Sequence, residues 1–328
     1  MSEKAGRIYA FTWLVNTALA LADWTWSNQI GLQIDGSYLE WVALRCLISL
    51  GIAAALRAAA NSPWCARTTR AVLYRSASAG IMWIATLAVF ASLALIFQYL
   101  TVTLSFPEIA STLVAADSRL GFDWPAAYYW VKARPWLDAI FSMAYQSGIF
   151  QLALIPFILI VTNNVRYYAE FVIQFIVASA FVIFIATPFP AESAYVHFNI
   201  RDLGTASTVA DFWLFRSGRF HELTLQSMQG LVSLPSFHTV LAVLFAYAVR
   251  HVRRVFPIFI LLNIVMIAST PTHGGHYIWD VIAGLAIAVA AVWSSHRLMK
   301  AFGGEIQFRD RHAVKVGVLP AVRTTDLN

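Results

Sequence analysis

The sequence predicts an all-α fold, a polytopic membrane helix bundle of about eight transmembrane helices, and three observations carry that prediction. Apolar residues make up 59% of the 328 positions and charged residues only 12%, and the mean hydropathy is +0.65, values outside the range of soluble domains. The apolar residues gather in runs of the length that a hydrocarbon core demands, about 20 residues per helix. Arginine and lysine fall in alternate short connections, the pattern of cytoplasmic loops.

The apolar runs lie near residues 8–30, 37–58, 80–104, 139–162, 167–188, 237–251, 255–271 and 277–297. The first carries Asn16 and Asp23, the second carries Glu40 and Arg45, and the sixth is cut short by the basic run from Arg250 to Arg254. Lys4 and Arg7 precede the first run. Arg57, Arg67, Arg70 and Arg75 separate the second from the third, and Arg166 follows the fourth. Arg250, Arg253 and Arg254 join the sixth to the seventh, while Arg297 and Lys300 follow the eighth. The connections near 31–37, 105–138, 189–236 and 272–276 mix acids with bases. The bias therefore predicts a multi-pass protein of the cell (inner) membrane with these mixed loops on the extracytoplasmic side. An alternative for the first run is a cleaved signal peptide ending in Ala18–Asp23, which leaves the later orientation unchanged.

Three segments follow from this layout: an N-terminal helix pair over 1–79, a six-helix core over 80–300, and a cytoplasmic tail over 301–328. The formal charge of +6 is spread over short loops and the tail, without the interleaving of basic and aromatic residues that a nucleic-acid surface carries. Cys46 lies in an apolar run and Cys65 in a basic loop, so neither a disulfide framework nor a thiolate metal site is expected.

Chemistry concentrates in two short stretches on the predicted outer side. "THGGHYIWD" (Thr272–Asp280) sets His276 and Asp280 four residues apart, one helical turn on one face. A carboxylate that accepts from one ring nitrogen leaves the other nitrogen with its lone pair, as a base or nucleophile requires. "PSFH" (Pro235–His238) places Ser236 as an N-cap, with His238 just inside the helix. The free first-turn N–H groups and the positive helix end there favour an anion, and phosphate is the expected guest. Gly274 and Gly275 permit close approach of a ligand, and His273 adds an imidazole to the same mouth.

These stretches resemble the second and third motifs of the type 2 phosphatidic acid phosphatase superfamily, usually P-S-G-H and S-R-x5-H-x3-D. The closer likeness is to the branch of inositolphosphorylceramide synthase and the sphingomyelin synthases, in which a bulky residue replaces the motif glycine and a histidine precedes "HY". "DSRLGFDWPAAYYW" (Asp117–Trp130) is similar to that branch's outer segment. The resemblance covers roughly residues 80–300 and departs from the family at two places. Thr270 stands where the third-motif arginine belongs, beside Ser269, and Ala127 stands where the first-motif lysine belongs, although Arg134-Pro135 supplies that motif's ending.

The resemblance implies a lipid phosphatase or phosphotransferase without a cofactor. His276 would attack phosphorus, Asp280 would orient it, and His238 would protonate the departing oxygen. Ser236, His273 and either Lys132 or Arg134 would bind phosphate, with Arg201, Arg216 and Arg219 as further candidate cations. The implied partners are a phospholipid or lipid phosphate and an alcohol acceptor if the reaction is transfer. Two other readings remain open. His273, His276, Asp280 and His238 also suit a metal-dependent hydrolase, and Asp23, Asp138, Gln146 and Gln151 suit a lipid-binding or transport pathway. The aromatic residues of the outer loops, among them Trp124, Tyr128, Tyr129, Trp130, Tyr195, Phe212 and Trp213, are expected as interfacial anchors.

Overall fold

A computed structural model describes residues 3–200, 212–218, 222–223 and 231–302. Arg201, Arg219 and the tail from Gly303 lie outside them. The chain runs α1 (Glu3–Ile30), β1 (Gln33–Ile34), α2 (Gly36–Asn61), α3 (Thr69–Val102), α4 (Ala110–Arg119), α5 (Trp124–Lys132), α6 (Pro135–Val161), α7 (Val165–Ala186) and α8 (Ala194–His197). Helical residues 212–216 (α9) follow, then β2 (Glu222–Leu223), α10 (Phe237–Ala248), α11 (Phe256–Gly274) and α12 (Ile278–Ala301).

Helices stand at all eight expected places, and six of them, α2, α3, α6, α7, α11 and α12, are long and apolar enough to cross a membrane. The other two differ for separate reasons. α10 has only 12 residues. α1 is long, but four of its polar residues, Thr12, Asn16, Asp23 and Ser27, are buried, and Asn16 reaches the carbonyl of Thr86 on α3. Its apolarity is diluted by groups turned inward, away from lipid.

α3 begins at Thr69, well before the expected start near residue 80. The polar residues that read as a loop are used inside the helix: Ser76 bonds Asn163 at 2.6 Å and Ser78 bonds the Ala53 carbonyl at 2.7 Å. The predicted boundary between 79 and 80 thus falls within one continuous helix. One small departure from an all-helical chain is the parallel pairing of β1 with β2, Gln33 opposite Glu222 and Ile34 opposite Leu223.

α7 is the centre of the bundle, buried along most of its length and packed by α3, α6, α10 and α12. Association inside lipid relies on close van der Waals fit rather than on the expulsion of water. At one end of the bundle, buried Glu170 on α7 takes two bonds from Arg250, at 3.0 and 2.9 Å, and faces His296 of α12 at 2.9 Å. This ties α7, α10 and α12 together there, since a buried carboxylate must be matched by cations or donors. The starts of α6, α10 and α12 and the end of α11 converge at the opposite end, where the candidate site lies.

Candidate active site

Two helix entrances meet directly. Ser236 caps α10, its hydroxyl accepting from Thr239 N at 3.4 Å, and its own N–H donates to the Asp280 carbonyl on α12 at 3.0 Å. This crossing requires a glycine, because a Cβ on Gly284 would stand 2.6 Å from the Ser236 carbonyl oxygen. The Ser236 hydroxyl is fully buried and engaged with Thr239, so it serves the cap rather than the mouth.

α11 ends at Gly274, and Gly275 turns the chain in the left-handed region at φ 65° and ψ 34°, a conformation that favours glycine. His276 follows, and Tyr277 N-caps α12. The His276 Nδ1 lies 2.9 Å from the Ser233 carbonyl, 3.2 Å from the Ser233 hydroxyl and 3.3 Å from Asp280 Oδ2. A carbonyl only accepts, so Nδ1 carries the hydrogen and Nε2 keeps its lone pair. Asp280 is fully buried. Its Oδ2 accepts from Tyr277 N at 2.8 Å and from the Ser233 hydroxyl. As the third residue of α12 it also sits at the positive helix end, which holds the charge in place.

His238 belongs to the first turn of α10, and its ring stacks on Tyr145 of α6 at 4.1 Å and 21°, with the phenol oxygen 3.2 Å from Nδ1. Tyr145 is also what brings the two histidines into one mouth. A Cβ on Gly274 would come within 2.6 Å of His276 Cδ2 and 2.9 Å of the Tyr145 oxygen. Glycine at 274 therefore lets the phenol and the His276 ring close over one backbone position.

A polar side of the mouth comes from α5, α6 and α11. His273 lies in the last turn of α11 instead of a loop. Its Nε2 meets Asp138 Oδ1 at 3.1 Å, its Nδ1 meets the Thr272 hydroxyl at 3.1 Å, and its ring edge faces Phe141. Lys132 Nζ reaches the same Asp138 oxygen at 3.0 Å. Arg134 turns elsewhere, stacking on Trp130 at 4.1 Å and bonding the Trp130 carbonyl. Arg216 bonds the Phe106 carbonyl at 2.6 Å and lies over Phe212 and Trp213. Ser269 and Thr270 both turn back to the Met266 carbonyl of their own helix.

The outer segment 117–130 braces the joint. Trp124 Nε1 donates to the carbonyls of Pro271 and His276, both at 3.1 Å. Asp117 accepts from Ile278 N at 2.9 Å and Trp279 N at 3.4 Å, satisfying first-turn donors of α12. Burial holds the Asp117 carboxyl above its usual range, an effect that these two backbone donors offset only in part. Trp124, Tyr128, Tyr195 and Phe212 are buried, a correction to their expected role as interfacial anchors. Tyr129, Trp130 and Trp213 remain exposed.

Sequence reasoning missed Ser233, Tyr145 and the pairing of Asp138 with His273. Only Ser233 left a signal, as a second serine three residues before Ser236. The four-residue nitrogen and oxygen ligand set considered above is not gathered, because His273 turns to Asp138 and His238 to Tyr145; among the described residues no three His, Cys, Asp or Glu side chains group as metal ligands. Of the pathway candidates, Asp138, Gln146 and Gln151 lie on α6 and Asp23 on α1. Gln151 bonds Asn263, Gln146 bonds Ser142, and the Asp23 carboxylate is buried on α1.

A family model described as the PAP2 superfamily matches residues 111–294. The match runs from α4 into α12, takes in the whole site, and leaves α3 outside. No curated protein and no solved structure gives a significant match.

Proposed function

The chain belongs to the PAP2 superfamily, a group of phosphatases and phosphotransferases, and from that membership and the geometry of the joint we propose that it transfers the phosphoryl group of a lipid phosphate through a phosphohistidine on His276. The observation that carries the reading is the fixed His276 ring, its Nδ1–H held by the Ser233 carbonyl and Asp280, with Nε2 left as the nucleophile.

In the first step the Nε2 lone pair forms the N–P bond, the P–O bond to the leaving group breaks, and His238 gives its proton to the departing oxygen. In the second step water or an alcohol attacks phosphorus, the N–P bond breaks, and the proton returns to His238. Charge on the non-bridging oxygens would be met by the first-turn N–H groups of α10 and by His273 and Lys132. Ser236 acts by shaping that turn, and Arg134 is the weaker of the two first-motif cations because Trp130 holds it. Phe237 and His273 favour the inositolphosphotransferase branch, which makes an alcohol the second-step nucleophile.

The reaction would take place on the extracytoplasmic face of the cell membrane. Arg166, Arg250, Arg253, Arg254 and Arg297 all lie toward the bundle end remote from His276, which supports this orientation.

The test is a brief incubation of purified protein with phosphate-labelled lipid and a quench that avoids acid. A protein-bound label stable in base and lost in acid is expected, and His276→Ala should abolish it. Full turnover by His276→Ala would overturn the mechanism.

A further inference from the structure

Asp138 is held in an unusual way for a residue beside a phosphate site. It stands in the first turn of α6. A single oxygen, Oδ1, receives both Lys132 Nζ at 3.0 Å and His273 Nε2 at 3.1 Å. No described residue bonds Oδ2, and the side chain is 31% exposed. Two donors on separate elements thus hold one oxygen of the carboxylate and leave the second without a donor among the described residues. A carboxylate needed only to steady Lys132 and His273 would gain by sharing its oxygens between them.

Position narrows what that oxygen meets. Asp138, Phe141, Tyr145 and Gly148 follow one another along one face of α6, with spacings of three and four. Phe141 touches His273, Tyr145 touches His238, and a Cβ on Gly148 would lie 3.8 Å from His238. Asp138 is seven residues before Tyr145, about 10 Å up the helix at ~1.5 Å per residue. A phosphate between His238 and His276 would extend its esterified alcohol over that interval.

Charge selects the chemistry. Lys132 Nζ already stands 3.0 Å from Asp138, so its ammonium opposes the approach of a second cation. A neutral hydroxyl requires one acceptor, and Oδ2 is one.

We propose that Asp138 Oδ2 is the recognition atom of a subsite for a small hydroxyl-bearing alcohol, joined to the phosphate either as the headgroup that leaves or as the acceptor that enters. The proposal rests on the phosphoryl-transfer reading of the site and specifies what that site accepts beyond phosphorus.

The test compares equilibrium binding of inorganic phosphate, glycerol phosphate and ethanolamine phosphate to the purified full chain and to Asp138→Asn. Wild type should bind glycerol phosphate about tenfold tighter than inorganic phosphate, the size of one hydrogen bond to a charged group. Asp138→Asn should bring that ratio near one, with inorganic phosphate bound as well or better because Lys132 is released. A ratio near one in wild type, an unchanged ratio in Asp138→Asn, or preference for ethanolamine phosphate would each overturn the subsite. Turnover then separates the two sources. Selective loss of glycerol release from phosphatidylglycerol assigns the subsite to the leaving headgroup, and selective loss of transfer from phosphatidic acid to free glycerol, with diacylglycerol leaving, assigns it to the acceptor. Equal loss in both arms and with an aryl phosphate would mark Asp138 as structural and sink the proposal. The binding ratio is read without turnover, so it stands or falls separately from the label on His276.

Discussion

Tyr145 and His238 stack face to face, 4.1 Å between ring centroids, although they come from helices almost a hundred positions apart in the chain. The phenol fixes the imidazole at the entrance of α10 and limits the rotamers that it can take. Tyr145→Phe keeps the stack and loses the oxygen near Nδ1, whereas Tyr145→Ala loses both. Rates on a lipid phosphate should fall modestly in the first variant and by about 10²-fold or more in the second, in line with the cost of misplacing a catalytic group. Equal losses would show that the stack does not position His238.

A general acid matters most when the leaving group is poor. His238→Ala should therefore lose about 10²–10⁴-fold on an alkyl lipid phosphate and far less on an activated aryl phosphate. Parallel kinetics on the two substrates check this, and equal losses would reduce His238 to a binding residue.

Ser233 supplies two different contacts to the His276–Asp280 pair, a backbone carbonyl to Nδ1 and a hydroxyl to the carboxylate. Ser233→Ala removes only the hydroxyl. The tautomer should survive, so the phosphohistidine label still forms, but kcat should fall roughly tenfold as Asp280 loses a charge-assisted bond. Asp280→Asn should slow labelling further. Rapid-quench measurement of label formation distinguishes the two variants.

Gly284→Ala forces a methyl to within 2.6 Å of the Ser236 carbonyl. The crossing of α10 and α12 must open, at a cost of about 1–3 kcal/mol. A lowered thermal midpoint in detergent, accompanied by loss of activity, is the expected result. An unchanged midpoint would mean that the crossing is looser than the contact distance implies.

The orientation is tested on a protein stripped of Cys46 and Cys65 and given one new cysteine at exposed Ser118, on α4 beside the joint. An impermeant thiol reagent should label it in cells whose cell membrane is intact. Labelling only after lysis would invert the topology.

The spans were legible because lipid imposes a length and an apolar composition on each. What escaped were segments whose polar residues are spent inside the protein, such as the start of α3 with Ser76 and Ser78, or the buried stripe of α1. In the site, His276 and Asp280 could be paired from their spacing alone, since one helical turn joins them. Tyr145, Asp138 and Ser233 could not, because each meets its histidine across tertiary space. Ser236 was read correctly as a cap, but its hydroxyl is consumed by Thr239, and the neighbouring Ser233 reaches the histidine instead.

The tie between Glu170, Arg250 and His296 has a counterpart in the entrance layer of Ser236 and Asp280, and the separation of the two layers can be read along α12. From Asp280 to His296 is 16 residues, about 24 Å at ~1.5 Å per residue, against a hydrocarbon thickness of ~30 Å. Glu170, Ser236 and Asp280 are buried inside the bundle, so with the Glu170 layer at one boundary of the hydrocarbon the His276 layer lies about 6 Å short of the other unless the bilayer thins locally. Thinning would draw lipid phosphates down toward the depth of His276, so that the substrate travels less far out of its own leaflet to react. Turnover in vesicles of short-chain lipids should accordingly exceed that in thick, long-chain bilayers, and equal turnover in the two would show that the depth of His276 does not limit the reaction.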